Sequence, residues 1–344
     1  MRWRSWITIA SALTILSCWL AGYWFWQQAV RHQLQQQQTS FTQQLELSHS
    51  ALINWQQGYR LNLAYLQRQL ADWDPVSHHN PVLDPWLEID NALNQALWPQ
   101  PFTAYAILDV TGKVVRLSAP AAGDLFAKTQ TGPIAEFFLP PLVFEDVWLI
   151  PMIFRVNNHS IMLWFDAGAL QHQIKQQLGK PEDTVELQLL SREGELLTPS
   201  QHRDILRQRL GQLGTRPFLL DKFYAKKPPA DLTLSRQKFD SSAAWSLTDA
   251  FVLMQQQPNG VMLEPYQNYL GRPAFAAWRW SDAWQAFIVI EQDVTELLEK
   301  QRMVWRYGLL ALLALSMLIG LGCWLLQRRI LKAAQDAVAA RLTE

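Results

Sequence analysis

The chain has 344 residues, its 30 Lys plus Arg are balanced by 30 Asp plus Glu, and charged residues make up only 17% of it. A neutral chain so sparing of charge lacks the basic face that nucleic-acid binders present, so that function class is set aside. The length leaves room for one large or two modest domains beyond any membrane segment, and 17 Trp with a 49% apolar share are generous for such domains.

Two uncharged segments account for part of that excess. Residues 5–30 and 307–327 carry no Asp, Glu, Lys or Arg, and each exceeds the ~20 residues a helix needs to cross a bilayer core. Arg2 and Arg4 precede the first, while Arg328, Arg329 and Lys332 follow the second. Both ends are therefore expected in the cytoplasm, with residues 28–305 outside. Tyr23, Trp24 and Trp26 would form the outer aromatic belt of the first span, facing Trp305 and Tyr307 of the second. The first apolar run is longer than a signal-peptide core and has no small-x-small cleavage site, which predicts an uncleaved anchor. The two cysteines, Cys18 and Cys323, fall inside the spans, so no disulfide is expected outside.

From Gln27 to Leu70 the pattern predicts a long helix. Leu34, Phe41, Leu45, Leu52, Trp55, Tyr59, Leu63, Leu66 and Leu70 recur at steps of three, four or seven, on a background rich in Gln. Residues 72–85, with three prolines and His78-His79, read as a loop, and 85–97 as a short helix. Strands are expected at 105–108 and 113–118 around the turn 109–112, then an irregular stretch with a possible short helix over 120–141. A hairpin follows, with strands at 148–156 and 160–165 around Asn157-Asn158-His159. Asp166 is placed to cap a helix over 167–178, which Gly179 and Pro181 end.

The layout then repeats. Val185, Leu187 and Leu189 alternate with polar residues, Ser191 to Gly194 make a turn, and 195–198 return. A helix is expected over 201–213, then a Lys/Pro-rich loop around 226–229. The closing hairpin has strands at 274–280 and 284–290 around Ser281-Asp282-Ala283. Helical spacing of Val294, Leu297, Leu298 and Met303 leads straight into the second apolar block, so a last strand joins a membrane segment with almost no slack. Two units of strand pair, irregular middle, long hairpin and exit helix imply two similar α+β subdomains, the second with an insert over 201–258.

Three segments carry a resemblance to a known family. AILDVTGKVVRLS is similar to the first strand pair of double-Cache sensors, tandem PAS-like domains hung from a long membrane-derived helix. WLIPMIFRVNNHSIMLWFDAGALQHQI resembles their hairpin and exit helix, and YLGRPAFAAWRWSDAWQAFIVIEQDVTELLE, opening Tyr-x-Gly-x-Pro, their membrane-proximal ending. With the two spans, the resemblance covers nearly the whole chain. It implies a bacterial inner-membrane receptor that binds a small molecule in its membrane-distal unit and drives a histidine kinase, chemoreceptor or cyclase output. The Arg-x-Trp-Tyr motif of the amino-acid-binding branch has no counterpart in 126–144, which turns the expectation towards an organic acid or similar solute.

The expected partition is 1–4 cytoplasmic, 5–27 first transmembrane helix, 28–80 long helix and loop, 81–180 distal subdomain, 181–300 proximal subdomain, 301–327 second transmembrane helix and 328–344 cytoplasmic signalling helix. Candidate ligand-binding residues are Tyr105, Arg116, Trp148, Arg155, Trp164 and Asp166. Pockets combine apolar walls with a few placed polar groups, and arginine binds carboxylates bidentately. Asp166 matches the family's acidic position at the end of the last distal strand, though a helix cap explains it equally; the aromatic candidates also suit a core. His78-His79 with Asp72 and Asp74 make a poor metal set, because adjacent histidines diverge in an extended loop. No nucleophile elbow, zinc-protease helix or phosphate loop occurs, so neither catalysis nor a cofactor is expected.

The tail RRILKAAQDAVAARLTE carries a stripe of Leu331, Ala334, Val338 and Leu342, like the helix that leads into a histidine kinase; no histidine follows His202, so the output module is expected elsewhere than in this chain. The reading is a solute sensor acting as a parallel homodimer packed along 34–70. A diguanylate cyclase or chemoreceptor output, or a membrane-anchored adaptor for a partner protein, is the alternative.

Overall fold

In the computed structural model the described residues are 2–71, 89, 91–93, 102–129, 137–144, 147–178, 185–209, 223–237, 239 and 245–342. They divide into two compact units, one of residues 1–38 with 295–344, the other of 39–294. Helix α1 (Arg2–Gln69) is continuous over 68 residues, as its unbroken periodicity and lack of internal proline require.

The larger unit holds two antiparallel sheets. The first is built from β1 (Phe102–Leu108), β2 (Val114–Leu117), β3 (Phe137–Phe138), β4 (Leu142–Phe144), β5 (Val147–Val156) and β6 (His159–Asp166), in the order β2-β1-β6-β5-β3 with β4 also on β5. Helix α2 (Pro120–Thr129) falls within the stretch expected to be irregular, and α3 (Gly168–Leu178) follows β6. The 109–112 turn is closed by Asp109, whose Oδ1 accepts from the amides of Thr111 at 2.8 Å and Lys113 at 2.9 Å. Asn157, at φ +51°, turns the β5–β6 hairpin, a conformation asparagine tolerates.

The second sheet runs β7-β10-β9-β8, from β7 (Val185–Leu190), β8 (Asn259–Gln267), β9 (Pro273–Ser281) and β10 (Ala286–Asp293). This is the β1-β6-β5-β3 order again, which supports the duplicated layout read from the sequence. Where β2 stands in the first sheet, the described residues of the second have the isolated bridges Leu190–Leu196 and Glu195–Tyr224.

Several expectations are corrected. Strand β8 was not anticipated: Pro265 and an irregular burial pattern hide it, and it survives as an edge strand with a register break between Met262 and Tyr266. Helix α5 (Asp249–Gln256) was likewise missed inside the insert; Thr248 caps it, accepting from the Phe251 amide at 3.3 Å. Helix α4 spans Arg203–Arg209, and the remainder of the expected 201–213 helix lies outside the described residues. Trp284 was assigned to a strand but sits buried in the β9–β10 turn, where Gln285 takes φ +48°. The 72–85 loop with His78-His79 lies outside the described residues; of the 85–97 helix only Ile89 and 91–93 are described, helical, with Ile89 and Leu93 buried.

Helix α1 lies along one face of both sheets. Phe41, Leu45, Leu52, Tyr59, Leu63, Leu66 and Leu70 of the apolar stripe are buried. Gln56 donates to the Ala283 carbonyl at 3.0 Å and Glu46 pairs with Arg279 at 2.6 Å, both on the second sheet. Tyr59 meets Phe165 edge-on at 4.6 Å and Gln67 donates to the Arg155 carbonyl at 3.2 Å, both on the first. The stripe is thus covered by the chain's own sheets.

In the smaller unit, α1 and α6 (Val294–Leu342) run antiparallel. Trp26 and Trp305 stack at 4.4 Å and Trp19 Nε1 donates to Ser316 Oγ at 3.2 Å. Among the described residues one helical segment, Arg302–Ala333, is long and apolar enough to cross a membrane; it contains the second expected span. The first, 5–27, is the start of α1, and part of it lies outside the described side chains. One span, not two, therefore stands on this observation.

Candidate functional site

Antiparallel partners share a face, so the registers assign each candidate to one side of the first sheet. Ala104, Ala106, Met162 and Trp164 lie on the side covered by α2, in a cluster with Ala122, Leu125, Leu139, Phe144, Leu149 and Ile153. The opposite side carries Tyr105, Ile107, Leu163 and Phe165, and Phe165 meets α1 there. The six candidates are therefore split. Tyr105, Arg116 and Trp148 belong to the α1 side, Arg155, Trp164 and Asp166 to the α2 side.

Of the six, the described hydrogen bonds bring together one pair, on the α1 side. Arg116 Nε donates to the Tyr105 hydroxyl at 3.3 Å, half-buried, at the sheet edge. Trp148 is buried away from both. On the α2 side Trp164 is fully buried, its Nε1 donating to Thr129 Oγ1 at 3.1 Å. Arg155 and Asp166 are exposed at opposite ends of the β5–β6 hairpin, about 20 Å apart at the strand rise. Asp166 Oδ1 accepts from the Gly168 amide at 2.7 Å, the helix-capping role weighed for it. The α2 face is thus an apolar floor of small and large side chains with one indole hydrogen bond in it.

The second sheet is different. Its face towards α5 carries Trp278, Phe287, Val289 and Tyr266, closed by Phe251 and Met254 of α5 and by Phe223, Ala225 and Leu232 of the insert. At the end of β10 that apolar floor gives way to a polar network. Glu291 and Glu186 are direct cross-strand partners. One amide serves both: Gln188 Nε2 donates to Glu186 Oε2 at 3.2 Å and to Glu291 Oε2 at 3.1 Å. Tyr266 donates to Glu291 Oε1, and Asn268 Nδ2 lies 3.5 Å from Glu291 Oε2. Tyr269 donates to Glu186 Oε2 at 2.8 Å and shares a 2.7 Å bond with Ser200, while the Gln201 amide donates to Glu186 Oε1 at 3.0 Å.

Burial pushes the Glu291 carboxyl up to about 7, and the Glu186 charge beside it adds to the rise, against the hydrogen bonds from Tyr266, Gln188 and Asn268. Burial likewise holds the Tyr266 and Tyr269 hydroxyls well above their usual range, reinforced by Glu291 for the first and Glu186 for the second.

This network escaped the sequence reading. Glu186 and Gln188 looked like the outward half of an alternating strand, yet both faces of β7 are covered. The available signals were Glu291 ending the apolar run AFIVI, and Tyr269 in the YLGRP turn.

No protein-family model and no curated protein matches the chain. Among solved structures it is similar to the sensor domain of the V. cholerae histidine kinase DctB, at 12% identity and a TM-score of 0.45, over 76% of this chain and 98% of that one. It is also similar to the sensory domain of the Campylobacter jejuni chemoreceptor Tlp3 with isoleucine bound, at 11% identity and a TM-score of 0.42, over 76% and 94% of the two chains. The periplasmic sensory domain of the chemoreceptor Tlp1 from the same organism gives 12% and 0.42, over 75% and 96%. Likenesses at these values bear no weight on what this chain binds.

Proposed function

We propose that the protein is a membrane-bound sensor that recognises a small extracytoplasmic solute with its first sheet and passes the signal along α6 to a cytoplasmic output module. One observation carries this reading: β10 ends at Asp293 and α6 opens at Val294, with no linker, and runs on into the apolar segment Arg302–Ala333. A helix that continues a sheet strand into a membrane is suited to convey a shift of that strand. A flexible tether would dissipate it. Residues 5–27 supply a second span, and the flanking cations place both ends in the cytoplasm and the two sheets outside the inner membrane of a bacterium.

The α2 side of the first sheet is the proposed binding side, where Arg155 is the exposed cation of the expected set and Trp164 lies in the packed floor beneath α2. Small organic acids are the solute class that fits. Binding shifts the sensor only by its preference for one of two arrangements. A chemoreceptor or cyclase output accommodates the junction as well as a histidine kinase does, so the output is written as a signalling module.

The test is a thermal-shift screen of the full chain in detergent against organic acids and amino acids. A ligand at 100 times its Kd stabilises by about 2.7 kcal/mol. Trp164→Phe, which keeps an aromatic side chain but removes the indole N–H and its bond to Thr129, should reduce the shift for the active solute. No stabilisation by any member of a broad panel would sink the reading.

A further inference from the structure

We propose that Glu186 and Glu291 form a proton-responsive latch in the second sheet, closed when the pair holds one proton and loosened when it holds none. The two carboxylates sit on directly paired residues of β7 and β10, bridged by both hydrogens of a single amide, that of Gln188. Like charges directly opposite on adjacent strands repel, and Gln188 and Glu291 are buried. Among the described residues no cation lies within ion-pair distance of either. The nearby arginine, Arg272, is held by Asp293 and by Asp231, 4.0 Å away.

Among the described residues, the remaining groups around the pair offer no positive charge. Tyr266 of β8 and Tyr269 of the following turn both donate to it, and Asp249 of α5 is engaged by Lys227 at 3.2 Å. Asp293 is the next acidic residue on β10. Among the described residues a doubly ionised pair is therefore stabilised by hydrogen bonds alone, and a single proton removes the repulsion between the strands. Glu291 stands three residues before α6, so the latch acts on the strand that continues into that helix. It operates on a different sheet from the proposed solute face and does not depend on it.

The sign follows from linkage. Glu291 titrates higher in the folded protein than in the unfolded chain, so the folded state binds the extra proton between those two values. Its stabilising share is complete below the unfolded value and is lost as pH rises through about 7. His49, which burial holds below its usual value with Arg279 adding to the effect, contributes the opposite slope and cannot imitate the latch.

The experiment follows thermal unfolding of the full chain in detergent, by tryptophan fluorescence, between pH 5.5 and 8.5. The expected result is a wild-type Tm that falls by roughly 3–8 °C as pH rises, and a Glu291→Gln variant whose Tm loses that slope. Should Glu291→Gln fail to fold, the infrared carbonyl band of a protonated carboxyl in the wild type decides, with Glu186→Gln as second variant. The band should vanish between pH 6 and 8 in the wild type and at lower pH in Glu186→Gln. A wild-type Tm without that fall, a slope that persists in Glu291→Gln, or an infrared spectrum without a titrating band would each overturn the proposal.

Discussion

Single residues decide how the turn before β9 is built. Gly271 takes φ +79°, and a Cβ there would collide with the carbonyl group of Ala230. Both the left-handed backbone and the backbone neighbour resist any side chain, so Gly271→Ala should cost about 3 kcal/mol, read as a lowered Tm. The same turn delivers Tyr269 and Asn268 to the buried carboxylates. Tyr266→Phe removes the donor to Glu291 Oε1 while leaving the ring in place. Its expected effect is a loss of roughly 1–3 kcal/mol and a further rise of the Glu291 titration point, visible as a Tm–pH curve moved to higher pH. The direction is fixed because Tyr266 stabilises the charged form. An unchanged midpoint would show that the hydroxyl does not bear on the carboxylate.

Among the elements, α1 separates what sequence shows from what it hides. Its periodicity revealed a helix and a buried face, because steps of three and four are a property of one strand of sequence. What covers that face is a property of two sheets far away in the chain, so the sequence shows that Leu52 and Leu63 share an apolar face but not what buries them. Leu63→Ala should cost about 2–5 kcal/mol. Leu61→Ala, at a position 74% exposed, should leave Tm nearly unchanged. Leu47, Leu61 and Tyr65 point outward, and with Ala51, Asn54 and Gly58 they alternate at steps of four and three. Strands β5, β6, β9 and β10 were legible because long apolar runs flank polar turns. Strand β8 was not, since an edge strand with proline follows no period. The six candidate pocket residues were chosen by type and position, and register parity, invisible without the pairing partner, dispersed them across two faces.

For the whole molecule the topology is the most exposed claim. Val110 at the first hairpin tip is 76% exposed and Leu234 in the insert 81%. With Cys18 and Cys323 replaced by alanine, a membrane-impermeant maleimide applied to intact cells should label Val110→Cys and Leu234→Cys. Leu331→Cys should react only after permeabilisation. Labelling of all three in intact cells would remove the sensor from the outside of the membrane.

The insert between α4 and β8 has a consequence that reaches beyond packing. It fills the second lobe from within: Phe223, Leu232 and Phe251 are buried against the second sheet. Under the proposed function, solute recognition then falls to the first sheet, the second being packed with its own polypeptide. Excising the insert would strip that packing, so the deletion should unfold the second lobe rather than vacate it.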